Sequence, residues 1–326
     1  KDEEGVKFAQ GLYESLRGAA DRAWREGRRV HIVVSAIEHP SVLAPCRALE
    51  RLGARIDYVP VSQEGRVAVE SVATALSEET CLVSVMLANN EVGTVQDIAA
   101  IAELLKKRGV PLHADAVQAI GHIPVDVKAL GVTYLTASGH KFGGMKGTGF
   151  LWQREGAELP PLISGGGQER GHRAGTENTA GVVALGEALT ERVERMQEDA
   201  MRLQRLVAYT LQMIEREVPE VRVHGAGGEH LPGLLNIGIP GVRGESLVHL
   251  LDLKGICVSA ASACSAGADV PSHVLRAMGY SEREAMEALR ISYGRENTQE
   301  EAQRVAEEIV CAVQKIRTSV GERRTQ

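Results

Sequence analysis

Two short motifs that follow predicted strands carry side chains suited to catalysis. Asp115 closes the run His113-Ala114-Asp115, and Lys141 closes the run Ser138-Gly139-His140-Lys141. Taken alone, Asp115 is explained as a helix N-cap and Lys141 as a solvated loop lysine. Taken together, they are the pair that pyridoxal phosphate requires, because a carboxylate faces its pyridinium nitrogen and an amine holds its aldehyde.

A third motif surrounds one cysteine with small residues. Residues 259–268 are all Ser, Ala or Gly apart from Cys264. The segment is either a small-residue turn around a packed cysteine or a mobile loop that carries a nucleophilic thiol. The remaining cysteines lie in apolar or helical patterns and are expected to be core or incidental residues: Cys46, Cys81, Cys257 and Cys311.

The elements that must position these residues follow from hydrophobic patterning. Strands are predicted over residues 30–35, 55–59, 81–87, 110–114, 133–137 and 148–152, and helices over 42–52, 69–76 and 98–107. Strands separated by helix-sized segments predict an α/β fold with a mostly parallel sheet. Ligands of such sheets bind at the carboxyl ends of the strands, where Asp115 and Lys141 fall.

The second half of the chain has a different pattern. Residues 165–178 are polar and rich in glycine, which is typical of a functional loop. A helix over about 179–218 leads to strands near Val221 and over 234–239, 256–259 and 289–292, with helices from Glu245 and over 281–288 and 298–316. We expect a large cofactor-binding domain over residues 1–185 and a smaller α+β domain over 186–326 that carries Cys264.

Composition excludes several classes of protein. The chain has 326 residues, a net charge of -6 and 3% aromatic residues, so no basic or aromatic surface for nucleic acid is expected. No apolar run approaches the ~20 residues of a membrane helix. Motifs of zinc enzymes, P-loop proteins and α/β-hydrolases are absent, and no metal site is expected. Five scattered cysteines favour a reducing, cytoplasmic location.

Seven segments occur in the order and approximate spacing of the cysteine desulfurases: residues 34–42, 87–93, 113–118, 138–141, 165–179, 262–265 and 289–295. The chain resembles the NifS/IscS-like, group I members, which are fold-type I pyridoxal-phosphate enzymes related to class-V aminotransferases. The resemblance covers about residue 17 to residue 316. It implies conversion of L-cysteine to L-alanine, with the sulfur passed to a Cys264 persulfide and then to an acceptor protein for iron–sulfur cluster assembly or tRNA thiolation.

The resemblance also implies a role for each matching residue. Lys141 would be the Schiff-base lysine and Cα base, and Cys264 the persulfide carrier. The residues that would contact the cofactor are Asp115 at the pyridinium nitrogen, His39 stacked on the ring and able to shuttle protons, Gln118 and Asn90 as donors around the phenolic oxygen or the substrate, Ser138 and His140 at the phosphate, and Thr176 at the phosphate of a partner subunit in a homodimer. The residues that would bind the substrate are Arg290, at its carboxylate, and Asn90. Arg173 and Asn236 would lie behind them as second-tier residues of the pocket.

The start of the chain departs from the family pattern. The family carries a Thr-Ser-Gly-Gly-Thr-Glu type loop that cradles the phosphate at a helix N-terminus. The most similar stretch here is residues 8–15, with Tyr13 where the phosphate-binding threonine belongs, so the N-terminal part is expected to be atypical or incomplete. Two other functions stay open, a selenocysteine lyase and a truncated, non-catalytic paralogue that serves as a partner-binding subunit.

Overall fold

Buried runs of branched residues form a six-stranded sheet in the computed structural model, which describes residues 3–260 and 270–324, with side chains for 14–260 and 270–319. The strands are β1 (His31–Ser35), β2 (Arg55–Val59), β3 (Thr80–Ser84), β4 (Leu112–Asp115), β5 (Tyr134–Ser138) and β6 (Gly149–Gln153). Their order is β2-β1-β3-β4-β5-β6, and only β6 runs antiparallel to its neighbour. The predicted mostly parallel sheet is thus confirmed, and its central strands are buried as expected for such sheets.

The chain divides into two compact units, which are described separately. The first comprises Lys1–Val61, Arg66–Asn89 and Val95–Met196, and the second comprises Ser62–Gly65, Asn90–Thr94 and Gln197–Gln326. Besides the sheet, the first unit holds α1 (Glu3–Arg25), α2 (Pro40–Arg51), α3 (Val69–Ala75), α4 (Ile98–Arg108) and α5 (Val127–Leu130), together with 3₁₀ turns at Gly139–Lys141 and Gln168–Gly171. The long helix α6 (Thr179–Glu217) contributes residues to both units.

Helix α1 corrects one expectation from the sequence. Residues 8–15, proposed as the remnant of a phosphate loop, lie inside a helix that continues without a break from Glu3 to Arg25. The physical reason is the amphipathic pattern of its C-terminal half, where Leu16, Ala20 and Ala23 recur at helical spacing and pack into the core of the first unit. The side chain of Tyr13 lies outside the described residues.

The second unit is built on an antiparallel sheet in the order β7-β8-β9. Its strands and helices are β7 (Arg222–Val223), β8 (Leu234–Gly238), β9 (Ala288–Ser292), α7 (Gly244–Asp252), α8 (His273–Ala277), α9 (Glu282–Met286) and α10 (Gln299–Arg324). Its core joins β8, β9, α6, α7 and α10 through aliphatic side chains such as Leu206, Ile237, Leu247 and Ile309. Within residues 3–260 and 270–324, no helix has the length and apolarity to cross a membrane.

The strand predicted over residues 256–259 does not form. Only Ser259 pairs there, through an isolated bridge to Arg290. Ile256 is buried whereas Cys257 is exposed, so of the two expectations for Cys257, a core or an incidental residue, the structure excludes the core. The difference in burial has a local reason, because neighbouring side chains in this stretch point in opposite directions and the apolar side chain of Ile256 points inward.

Candidate functional site

Asp115 is the last residue of β4 and is almost completely buried. One of its carboxylate oxygens accepts a hydrogen bond of 2.9 Å from the backbone N–H of Val117. Burial raises the pKa of Asp115 to about 6, an effect reduced by the Val117 N–H and by the positive charge of Lys141. The site therefore favours a cation beside this carboxylate, which a pyridinium group would supply.

Lys141 is presented by a tight turn at the end of the neighbouring strand β5. The strand ends at Ser138, and the 3₁₀ turn Gly139–Lys141 follows at once. A Cβ at position 139 would lie 2.6 Å from Leu185 Cδ1 and 2.7 Å from Thr148 Oγ1, so any side chain there would require these two to shift. The turn leaves the Lys141 side chain exposed while its charge still acts on Asp115.

The two residues expected at the phosphate lie together in the same turn. Ser138 Oγ and His140 Nδ1 are hydrogen-bonded at 2.8 Å, with Ser138 buried and His140 exposed. A hydroxyl and an imidazole are both able to donate to phosphate oxygens. Thr176, the third residue expected there, is exposed in the glycine-rich loop.

His39 is the N-cap of α2, in the short connection that leads from β1 to this helix. Its Nδ1 accepts from the Ser41 backbone N–H at 3.2 Å and lies 2.6 Å from Ser41 Oγ. With Nδ1 accepting, the neutral ring carries its proton on Nε2. His39 is half-buried, and its imidazole is held by the helix start, as a ring-stacking residue requires.

Glu38 and His113 are buried polar residues near this site that the sequence analysis did not single out. Glu38 Oε1 accepts from the Met86 N–H at 2.6 Å, and burial, reinforced by the charge of Asp115, holds the pKa of Glu38 well above its usual range.

His113 lies two residues before Asp115 on the same face of β4 and is hydrogen-bonded by the Ser84 and Thr136 hydroxyls. Burial lowers the pKa of His113 to about 3, which keeps its ring neutral. The sequence marks these two residues only by position, because Glu38 directly precedes His39 and His113 lies two residues before Asp115.

The first unit thus contains a donor set that fits pyridoxal phosphate. A buried carboxylate, an exposed amine one strand away, a hydroxyl with an imidazole, and a capped histidine match its pyridinium nitrogen, aldehyde, phosphate and ring face. Gln118, also expected here, is half-buried in the turn after β4.

The second unit brings Arg290, Asn90 and Asn236 together. Arg290 Nη1 donates to the backbone carbonyl of Asn90 at 2.9 Å. Asn236, which is paired with Arg290 across β8 and β9, donates to the carbonyl of Glu91 at 2.9 Å. Asn236 is therefore a structural anchor for residues 90 and 91. Arg173 belongs to the first unit, where its guanidinium donates to the Ala174 carbonyl at 3.2 Å.

The described cysteines differ in their chemistry. Burial raises the pKa of Cys46 to about 12 and also raises the pKa of Cys81, so neither thiol ionises readily. Cys311 is half-buried and Cys257 is exposed. Cys264 lies outside the described residues. Among the residues described, no group of three or more His, Cys, Asp and Glu side chains is arranged to hold a metal ion.

Comparisons with known proteins point to one family. The family model of class-V aminotransferases matches residues 1–305. The chain is 42% identical over 295 residues to the cysteine desulfurase IscS of Clostridium botulinum strain Hall, which spans 90% of this chain and 74% of the relative. A solved NifS-like protein superposes with a TM-score of 0.86 at 35% identity, covering 94% of this chain and 80% of its own. A structure of SspA in complex with cysteine superposes with a TM-score of 0.75 at 30% identity, covering 89% and 80%.

Proposed function

This chain belongs to the cysteine desulfurases of the class-V aminotransferase family, and on that premise we propose that it converts L-cysteine to L-alanine and passes the sulfur to Cys264. The family depends on pyridoxal phosphate, and the parallel sheet is that of its fold-type I members. The observation that carries the proposal is the buried Asp115 carboxylate under the charge of Lys141, at the ends of adjacent parallel strands.

Pyridoxal phosphate, when bound, supplies an electron sink for the bonds broken at the substrate's Cα. In this proposal the Lys141 amine would hold the cofactor's aldehyde and would then take the Cα proton. Asp115 would accept a hydrogen bond from the pyridinium N–H and so keep the ring protonated. His39, whose Nδ1 lies at Ser41 Oγ and whose Nε2 is then left to carry the proton, would cover the ring face. Ser138 and His140, hydrogen-bonded to each other, would bind the phosphate.

The substrate's carboxylate is the group that Arg290 would bind, with Asn90 beside it. Guanidinium groups match carboxylates in two-point contacts, and one N–H of Arg290 is already anchored on the Asn90 carbonyl. The Cys264 thiolate then attacks the substrate's sulfur, so an S–S bond forms as the Cβ–S bond breaks. The electron pair of that bond stays on carbon, which is protonated to the methyl group of alanine, and a protein acceptor later takes the sulfur from the persulfide.

A homodimer is part of the proposal, because Thr176 would reach the phosphate of a partner subunit. Exposed apolar side chains in the first unit support an interface between subunits: Met145, Ile163, Val182, Val183 and Val193. We propose a cofactor domain over residues 1–185 and a small domain over 186–326, acting in the cytoplasm. Sedimentation over a range of protein concentrations tests the dimer.

The direct experiment supplies the purified chain with pyridoxal phosphate and L-cysteine and measures alanine. Alanine formed at a rate that depends on both additions supports the proposal. Parallel reactions with L-selenocysteine separate a desulfurase from a selenocysteine lyase. If the chain is a lyase, it should release selenide from L-selenocysteine far faster than it releases sulfide from L-cysteine. A folded, cofactor-loaded chain that produces neither product would identify it instead as a non-catalytic partner-binding subunit.

A further inference from the structure

In the second unit, the four consecutive backbone carbonyls of residues 90–93 are each hydrogen-bonded by a side chain or by a backbone N–H. Arg290 Nη1 donates to Asn90 O, Asn236 Nδ2 to Glu91 O, and the Leu231 backbone N–H to Gly93 O at 2.8 Å. The Val92 carbonyl lies 2.6 Å from a ring nitrogen of His230. The backbone of residues 90–93 is therefore held in one register against the second unit.

The side chain of Glu91 adds a second kind of anchor to this segment. It is almost completely buried, and its Oε2 accepts a hydrogen bond of 2.5 Å from Ser272 Oγ. A carboxylate is costly to bury unless it is hydrogen-bonded, so this contact constrains both residues. Ser272 is itself immobilised as the N-cap of α8, where its Oγ also accepts from the Leu275 N–H at 3.2 Å.

The Ser272–Glu91 hydrogen bond lies one residue along the chain from the Asn90 carbonyl, which accepts a hydrogen bond from Arg290. The Glu91 carbonyl is tied to Asn236, whose Oδ1 is hydrogen-bonded to His224 Nδ1 at 2.8 Å. Asn236 and Arg290 are direct neighbours across β8 and β9. Rotation of Glu91 would therefore move the Asn90 carbonyl, and with it the orientation of the Arg290 guanidinium.

We propose that Glu91 and Ser272 are positioning residues that orient Arg290 toward the α-carboxylate of the amino-acid substrate. The inference rests on the proposed function, which gives Arg290 its carboxylate. It predicts that loss of the Ser272–Glu91 hydrogen bond weakens the binding of ligands that carry a carboxylate and leaves the binding of simple amines unchanged.

Ser281 provides a matched control for Ser272. It is the N-cap of the neighbouring helix α9 in the same unit, where its Oγ accepts from the Glu284 N–H and bonds to the Glu284 carboxylate at the surface. Ser272→Ala and Ser281→Ala both remove a helix cap, but only the first removes a contact with Glu91. Thermal unfolding of both variants verifies that each is folded.

The experiment titrates the cofactor-loaded protein with L-alanine and with ethylamine, following the absorbance of the bound cofactor, and measures KM and kcat for L-cysteine. For Ser272→Ala we expect roughly tenfold weaker L-alanine binding and a similar rise in KM, as for one misplaced charge-assisted hydrogen bond, with little change in kcat or in ethylamine binding. Ser281→Ala should match the wild type. Glu91→Gln, whose amide oxygen can still accept from Ser272 Oγ but carries no charge, is a second variant expected to weaken L-alanine binding in the same direction and by less than Ser272→Ala.

Equal effects of the two serine variants on L-alanine binding would overturn the inference, as would an equal loss of ethylamine binding in Ser272→Ala. Failure of the proposed function is a different result, in which the wild type forms no alanine from L-cysteine. The comparison of L-alanine with ethylamine still decides the positioning role in that case, because it measures binding at equilibrium.

Discussion

At the scale of single residues, Asp115 has a titration that stability measurements can detect. Burial raises its pKa from 3.8 to about 6, so the folded protein without cofactor binds this proton more tightly than the unfolded chain does. The resulting stabilisation is complete below pH about 4 and is lost as the pH rises through about 6, a change of roughly 3 kcal/mol.

Asp115→Asn should remove this part of the pH dependence. Urea unfolding of the cofactor-free proteins between pH about 4 and about 7 measures it, and the difference between wild type and variant reports the titration of Asp115 together with its electrostatic coupling to Glu38, whose pKa the Asp115 charge raises. Parallel curves for the two proteins would show that Asp115 does not carry a raised pKa.

Lys141→Ala should abolish alanine production, since one amine both holds the cofactor and transfers the Cα proton. Because Lys141 is exposed, the variant should unfold at the temperature of the wild type. Lys146→Ala is the matched control, as Lys146 is an exposed lysine in the same segment before β6. Substantial alanine production by Lys141→Ala, or equal losses in both variants, would refute the assignment of Lys141.

At the scale of elements, the turn between β5 and β6 depends on the absence of a side chain at Gly139. Gly139→Ala would press a methyl group against Leu185 and Thr148, and we expect a loss of about 1–3 kcal/mol in the free energy of unfolding, together with lower activity. Gly186→Ala, measured at a dilution where the chain is monomeric, is the control, because Gly186 is a helical, exposed glycine with open space and should gain about 1 kcal/mol. An unchanged free energy of unfolding in Gly139→Ala would mean that the turn accommodates the methyl group at no cost.

The elements of the first sheet could be predicted because each buried strand is a short apolar run between turn signals. The ends of β4 and β5 were therefore predictable, and with them the places of Asp115 and Lys141. The stretch 256–259 was assigned wrongly because its short branched run reads like a strand, although only Ser259 finds a pairing partner. Periodicity reports local pattern and carries no information on pairing partners.

The polar contacts of the second unit were beyond prediction from the sequence. Glu91 and Ser272 are separated by 181 positions, and no local pattern links a carboxylate in one segment to a helix cap in another. The sequence predicts Asn236 as a second-tier residue of the substrate pocket, but it gives no sign that the Asn236 amide is hydrogen-bonded to the Glu91 carbonyl and to His224. Such contacts follow from tertiary packing.

At the scale of the whole molecule, cofactor retention depends on the start of the chain. Residues 8–15, the stretch most similar to the family's phosphate loop, lie within helix α1, so Ser138, His140 and a partner's Thr176 are the residues of this chain that we propose at the phosphate. Charge-assisted hydrogen bonds contribute roughly 1.5–3 kcal/mol each, and losing one or two weakens binding by about one to four powers of ten.

We therefore expect the 326-residue chain to lose its cofactor readily on dialysis. Absorbance of the bound cofactor before and after gel filtration measures this, and insertion of a Ser-Gly-Gly-Thr-Glu type loop ahead of residue 16 should restore retention. Full occupancy of the unaltered chain after gel filtration would show that another segment binds the phosphate.

Transfer of sulfur from L-cysteine to Cys264 can be measured as a change in the mass of the peptide that contains Cys264. After incubation with excess pyridoxal phosphate and L-cysteine, we expect alanine and a gain of one sulfur atom on that peptide. Cys264→Ser should abolish both, whereas Cys257→Ser, which removes the exposed thiol nearby in the sequence, should preserve both. Sulfur found on Cys257 instead, or alanine formation undiminished in Cys264→Ser, would show that Cys264 is not the sulfur carrier.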